Sequence, residues 1–237
     1  MLATRLRRRP GDPVVTYLDV TAGERTELSA TSLANAASKI GNAIVDEFDL
    51  LPPARIAVAM PAHWQFAAWC LGTWLAGCCV DLDFDVEPDA LVTDDPSFPA
   101  NSWPGLRPQV VSRHPFGLPI AEALPDTHDD VTLAVRRQPD AYLHAPGTLS
   151  DLALQSRDDS WDQAALVRAA EALADAWEVR EGDRFLIDDH IGRVDAALAC
   201  AVIPLARDAS VVIAHGADDV ARARIAEQER AKPAAAP

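Results

Sequence analysis

Apolar residues recur along the chain in two alternating rhythms. Leu33, Ala37, Ile40 and Ile44 follow the spacing of one face of an amphipathic helix. A short β-branched run, Ile56–Met60, predicts a strand. An almost wholly apolar segment from Ala62 to Ala76 predicts a buried helix that stops at Gly77, and Cys78–Leu82 predicts a second strand. The same order then returns. Leu166, Ala170, Leu173 and Trp177 repeat the first helical pattern 133 positions later, and Phe185–Asp188 repeats the strand at an offset of 129. Asp195–Ile203 stands for the second helix and Ala209–Ala214 for the last strand. The drop in offset matches the linkers, since Phe48–Ala54 is long and carries two prolines whereas Glu178–Asp183 is a compact turn around Gly182. The pattern predicts an α/β fold of two similar helix–strand–helix–strand subdomains, with parallel strands buried between helices.

The flanks complete this frame. Val14–Asp19, a turn at Gly23 and Arg25–Leu28 predict an opening hairpin, and Ser160 with Gln163 predicts a capping box ahead of the second unit's first helix. Seven prolines between Pro96 and Pro125 predict an irregular connector. Asp218–Arg230 predicts a closing helix. The expected organisation is a basic extension over 1–12 and one domain over 13–230. That domain comprises subdomain one (13–95), a connector (96–130) and subdomain two (131–230), with a disordered tail over 231–237.

Composition narrows the function. The 237 residues carry 36 acidic and 21 basic side chains, a net charge of −15, and 49% apolar residues. A core of good size is therefore available, while the charge disfavours nucleic acid and anionic lipid as partners. Only Lys39 and Lys232 are lysines. Cys70, Cys78, Cys79 and Cys200 form no C-x-x-C pair and read as buried free thiols of a reducing compartment. The basic start, Arg5–Arg9, runs into Pro10, Gly11 and Asp12 and is no secretory signal. The apolar stretch Phe66–Val80 falls short of the ~20 residues that span a bilayer. A soluble, cytoplasmic protein is expected, with no membrane partner.

Beyond this frame, the hairpin with Thr16-Tyr17, the amphipathic helix, Arg55-Ile56-Ala57-Val58-Ala59-Met60-Pro61, the aromatic-rich helix and the strand after Ala76-Gly77 resemble the opening of adenylate-forming enzymes. These form the AMP-binding and acyl-CoA synthetase superfamily. Gly182-Asp183-Arg184-Phe185-Leu186, Pro204-Leu205-Ala206 and Ala209-Ser210-Val211-Val212 resemble the continuation of the same N-terminal domain, so the likeness runs over about residues 13 to 215. It implies a phosphate loop rich in Ser, Thr and Gly and ending in Lys, because backbone N–H groups and a cation must hold a triphosphate. The matching stretch here, after an expected strand Asp140–His144, is Ala145-Pro146-Gly147-Thr148-Leu149-Ser150-Asp151. Pro146 has no amide proton, and no Lys or Arg occurs before Arg157. The family's aromatic-Gly-x-Thr-Glu segment, ribose-binding Asp and adenylation lysine are expected to have no counterpart, the chain stopping before them.

The resemblance therefore implies a non-catalytic relative, a pseudoenzyme without a cofactor, acting in binding, scaffolding or regulation. One alternative is an acyl or nucleotide binder using Gly147, Thr148, Ser150 and His190, the last placed where the family sets a His or aromatic near its ligand. Another is one subunit of a split adenylating enzyme. A more remote one is a metal-dependent transferase on Asp81, Asp83 and Asp85, which would share one face if their strand continued. Against it, 26 aspartates make Asp-x-Asp spacing commonplace. A hydrolase built on His144 with Thr148 or Ser150 lacks the G-x-S-x-G elbow. Trp64, Trp69 and Trp74 make the Ala62–Ala76 helix apolar nearly all round, which predicts an oligomer or a protein partner to cover it.

Overall fold

A computed structural model describes residues 1–99, 103–114, 117–157 and 159–234. Parts of the proline-rich connector (100–102 and 115–116) and of the tail (235–237) lie outside the described residues. The chain opens with α1 (Leu2–Arg8), the hairpin β1 (Pro13–Asp19) and β2 (Glu24–Ser29), then α2 (Ala30–Asp46), β3 (Arg55–Ala59) and α3 (Trp64–Leu75). Short strands follow: β4 (Cys79–Asp81), β5 (Ala90–Thr93), β6 (Gln109–Val110) and β7 (Asp129–Asp130), with α4 (Thr132–Arg136) after them. A second hairpin, β8 (Leu152–Gln155) and β9 (Ser160–Asp162), leads into α5 (Gln163–Ala176) and β10 (Arg184–Asp188). Helix α6 (Arg193–Ala197), a π-helical turn (Leu198–Val202) and α7 (Ile203–Ala206) form one continuous stretch, followed by β11 (Ser210–His215), α8 (Asp219–Gln228) and β12 (Lys232–Pro233).

The expected internal repeat is visible in the element starts: α5 begins 133 positions after α2, and β10 begins 129 after β3. The sheets, however, cut across the contiguous division expected from sequence. One compact unit comprises Met1–Ala34, Pro61–Ala67 and Ala165–Pro237; the other comprises Asn35–Met60 and Ala68–Ala164. In the first unit the strand order is β12-β10-β11-β1-β2. The opening hairpin joins it because β1 pairs in parallel with β11, Val15 opposite Val211 and Tyr17 opposite Ile213. Phe185, Val211, Val212 and Ile213 are buried there, as continuous apolar strands covered on both faces must be. In the second unit the order is β7-β6-β5-β3-β4-β8-β9, parallel except for the β8/β9 hairpin. Ile56, Val58, Val80, Leu91 and Leu154 form its centre.

The basic extension packs on the fold, and residues 232–234, expected in a disordered tail, are held as well. Arg5 of α1 is buried and donates to Asp208 Oδ1 at 2.9 Å and to the Pro13 carbonyl at 3.1 Å. Lys232 reaches Asp183 at 2.9 Å, and the Ala234 N–H donates to the Leu186 carbonyl at 2.8 Å, so residues 232–234 belong to the sheet. The three tryptophans of α3 are also covered within the chain, although the Trp64 indole N–H has no hydrogen-bond partner there. Trp64, Trp69 and Trp74 are 7%, 1% and 8% exposed, which removes the reason for expecting a partner on that helix. Among the described residues no helix is long and apolar enough to cross a membrane. All four cysteines are buried and free.

Candidate functional site

The segment expected to be a strand before the candidate loop, Asp140–His144, is irregular. Its backbone is held by one side chain instead of a ladder. Asn42, buried on α2, donates from Nδ2 to the Ala141 carbonyl at 2.9 Å and accepts at Oδ1 from the Leu143 N–H at 3.0 Å. The side-chain amide offers the same donor–acceptor pair that a neighbouring strand would. His144 then turns to Asp46, Nε2 to Oδ1 3.1 Å, and so does not face a hydroxyl nucleophile.

The loop Ala145–Asp151 closes on itself and on the end of α3. The Gly147 N–H donates to the Leu75 carbonyl at 2.9 Å, and Gln163 Nε2 donates to the Trp74 carbonyl at 2.9 Å, satisfying two of the carbonyls that a helix C-terminus leaves without partners. Gly77, with φ of 74°, ends α3 as the pattern predicted. The Thr148 N–H donates to Asp151 Oδ2 and its hydroxyl to Asp151 Oδ1, both at 2.7 Å. Ser150 Oγ lies 3.2 Å from Thr148 Oγ1. These two bonds from Thr148, backbone first, hold the Asp151 carboxyl below the usual carboxylate range. Gly147 has no room to open: a Cβ there would stand 2.6 Å from the Trp74 carbonyl oxygen, 2.7 Å from Gln163 Nε2 and 2.8 Å from Gly77 Cα.

The capping box does not form. Ser160 lies in β9, and Gln163 opens α5 with its amide turned to Trp74. The first N–H groups of α5 go instead to loop carbonyls, Gln163 to Asp151 at 3.0 Å and Ala164 to Leu149 at 3.1 Å.

Gly147, Thr148 and Ser150 are thus brought together, while His190 belongs to the other unit. Its side chain is 82% exposed, 3.6 Å from Asp188 and 3.7 Å from Asp189. Asp188 is bound by Arg222, and Asp189 Oδ2 meets His215 Nδ1 and the Gly216 N–H, each at 3.1 Å. Among the described residues these three, Asp188, Asp189 and His190, are the metal-capable groups within coordinating reach of one another.

The Asp81, Asp83 and Asp85 face is not built, because β4 ends at Asp81 and the chain turns, with φ of 55° at Phe84. Asp81 accepts from the N–H groups of Asp83 and Phe84 at 3.2 Å. Asp83 accepts from the Arg157 N–H, and Asp85 pairs with the Arg157 guanidinium at 2.9 Å. Each carboxylate has its own local partner. The first cation after the loop, Arg157, is committed to this acidic turn.

A cavity of about 700 Å³ lies in the first unit, walled by Trp177, Leu186, Ile191 and Pro233 and edged by Asp195 and Arg222. Of the residues singled out from sequence, His190 lines it, while the rest of its wall was passed over. The available signal was Asp195, an acid opening the otherwise apolar stretch Ala196–Ile203.

No family model matches the chain. A TIGR03089 family protein of Mycobacterium tuberculosis (strain ATCC 25618 / H37Rv) is 36% identical over 219 residues, covering 90% of this chain and 86% of that protein. Among solved structures, an acyl-CoA synthetase of Brucella canis aligns with a TM-score of 0.73 at 17% identity, over 93% of this chain and 44% of that one. The N-terminal domain of FACL13 from Mycobacterium tuberculosis aligns with a TM-score of 0.71 at 14% identity, over 97% and 60%. The chain spans about half the length of these structures, and at such identity they show the fold alone. That fold is the one the sequence resemblance implied. The chain belongs to the TIGR03089 family, and its fold is that of the N-terminal part of acyl-CoA synthetases.

Proposed function

We propose that this chain is a non-catalytic protein on an acyl-CoA synthetase-like fold, acting in binding, scaffolding or regulation. The observation that carries the reading is the Asp151 carboxylate. It takes the Thr148 N–H and hydroxyl for itself, in the segment where the resemblance places the phosphate loop, while the Gly147 N–H is bound to α3. Transfer chemistry at a triphosphate requires oriented N–H groups and cations where negative charge builds up. Here the Thr148 N–H faces a resident anion, the Gly147 N–H is spent on the Leu75 carbonyl, and the nearest following cation, Arg157, is held by Asp85. The acyl or nucleotide reading meets the same field, since Asp151 stands beside Thr148 and Asp188 and Asp189 stand beside His190.

A protein partner or self-association belongs to this reading. Its support is the loop and not α3: Leu143 and Leu149, before and after Gly147 in sequence, are 66% and 71% exposed. A cytoplasmic location agrees with four buried free thiols. The test is pyrophosphate release by the purified chain from Mg·ATP with a panel of carboxylic acids. No release above the protein-free rate is expected. Turnover that depends on the acid would overturn the proposal.

A further inference from the structure

Helices α2 and α3 both end at the edge of the second unit where its parallel strands begin. α2 stops at Asp46 ahead of β3, and α3 stops at Leu75 ahead of β4, whose first residue, Cys79, lies opposite Arg55 of β3. A helix C-terminus carries a partial negative charge that cations in the last turn usually offset, yet neither last turn holds a basic residue. The segments that follow add carboxylates. Asp46 meets His144, and Glu47 lies 3.8 Å from Arg137. Asp49 and Glu87 are exposed with no ion pair among the described residues. Asp89 accepts from the Arg55 N–H at 2.7 Å, but the Arg55 guanidinium folds back on the Val86 and Glu87 carbonyls, at 3.1 and 2.7 Å. Burial first, then the charges of Asp89 and Asp151, push the Cys78 thiol up to about 11, so both carboxylates stand within electrostatic reach of the same point.

Inside this acidic rim the surface is apolar. Leu51, Pro52 and Pro53, between α2 and β3, are exposed, as is Leu149 of the loop. Leu51 and Leu149 are 63% and 71% exposed. The two segments meet at one place: Pro52 Cγ and Gly147 Cα stand 2.8 and 3.3 Å from the Cβ position of Gly77. All of these residues belong to the same unit.

We propose that this edge docks a basic segment of a partner protein. Apolar side chains of that segment lie on Leu51, Pro52 and Leu149, and its lysines or arginines face Asp49, Glu87, Asp89 and the two helix ends. The net charge of −15 draws such a segment in and repels a second copy of this chain. The proposal rests on the binding reading above and names the chemistry of the partner.

The test follows the fluorescence anisotropy of a labelled peptide, KLLKKLLKKLLK, with the full chain, beside the acidic ELLEELLEELLE and the leucine-free KGGKKGGKKGGK. The first peptide binds at least tenfold tighter than either control, and its affinity falls as salt is raised. Leu51→Ser and Leu149→Ser alter exposed positions that cost the fold little, and each weakens binding about fivefold. Asp49→Asn combined with Glu87→Gln also weakens it. Leu133→Ser, at a 52% exposed position on α4, leaves it unchanged. Equal binding of either control peptide, or an affinity that Leu51→Ser and Leu149→Ser leave unaltered, would overturn the proposal. So would a concentration-dependent doubling of mass in analytical ultracentrifugation that Leu149→Ser abolishes, because the edge would then belong to a second copy. Acid-dependent pyrophosphate release would sink the non-catalytic reading without touching the peptide result, and absent peptide binding would sink the docking site alone.

Discussion

The packing of Gly147 gives a quantitative test of whether the loop is a structural clasp or an open cradle. In Gly147→Ala the new methyl meets the Trp74 carbonyl oxygen at 2.6 Å, Gln163 Nε2 at 2.7 Å and Gly77 Cα at 2.8 Å. Two of these atoms are backbone and cannot swing aside. Overpacking of this kind costs about 1–3 kcal/mol. Gln163 is also pushed off the Trp74 carbonyl, and a lost hydrogen bond adds about 1 kcal/mol. The expected destabilisation is therefore about 2–4 kcal/mol, measured by urea unfolding with fluorescence detection. Gly11→Ala is the control: nothing lies within 4 Å of its Cβ position, and it should stay within about 0.5 kcal/mol of the native chain. If Gly147→Ala is as stable as Gly11→Ala, the loop is not clamped on α3 and the reasoning fails.

Two further outcomes follow from buried groups. Asp208→Asn should cost about 3 kcal/mol in chemical denaturation, because Arg5 loses its buried partner. Burial opposes ionisation of Asp208, but the Arg5 hydrogen bond and the Arg8 charge outweigh it and hold the carboxyl below its usual value. A lowered carboxyl pKa stabilises the fold above the unfolded value of about 3.9 and ceases to do so as pH falls through the folded value. The native chain should therefore lose this increment in acid while Asp208→Asn does not; parallel pH–stability curves would contradict it. The thiols should be inert: burial pushes Cys78 up to about 11 and Cys79 up to about 12 and raises Cys200 further. Iodoacetamide at pH 8 should leave the native chain unmodified, and all four cysteines should react in denaturant. Rapid labelling of the native protein would show that those positions open.

The elements with strong periodicity were legible in the sequence. The face Leu33–Ile44, the runs around Ile56 and Phe185 and the stop at Gly77 each specify local structure that burial then confirms. What escaped depends on distant partners. Nothing near β1 indicates that it pairs with β11, because parallel pairing carries no turn signal. The Asp140–His144 run has strand-like alternation, but its hydrogen bonds come from Asn42, nearly a hundred positions away. Ser160 and Gln163 match a capping box, yet β8 takes Ser160 into a hairpin. The π-helical turn at Leu198–Val202 precedes Pro204, which has no N–H to give to the carbonyl four residues before it, and the helix widens there.

The candidate loop was half legible. Pro146 and the missing lysine could be read directly, whereas the use of Asp151 as an internal anion could not, since it rests on the 2.7 Å bonds to Thr148. The same limit applied to Trp64 and Trp177: an unpartnered indole N–H is a property of packing and leaves no mark on sequence.

The most direct measurement is an amide NMR titration of the isotope-labelled chain with Mg·ATP, following the N–H signals of Gly147 and Thr148. If Asp151 and the Leu75 carbonyl already hold these groups, the signals stay in place at millimolar nucleotide. Saturable shifts of both signals would mean that the carboxylate gives way to phosphate and that the anion-binding function is intact.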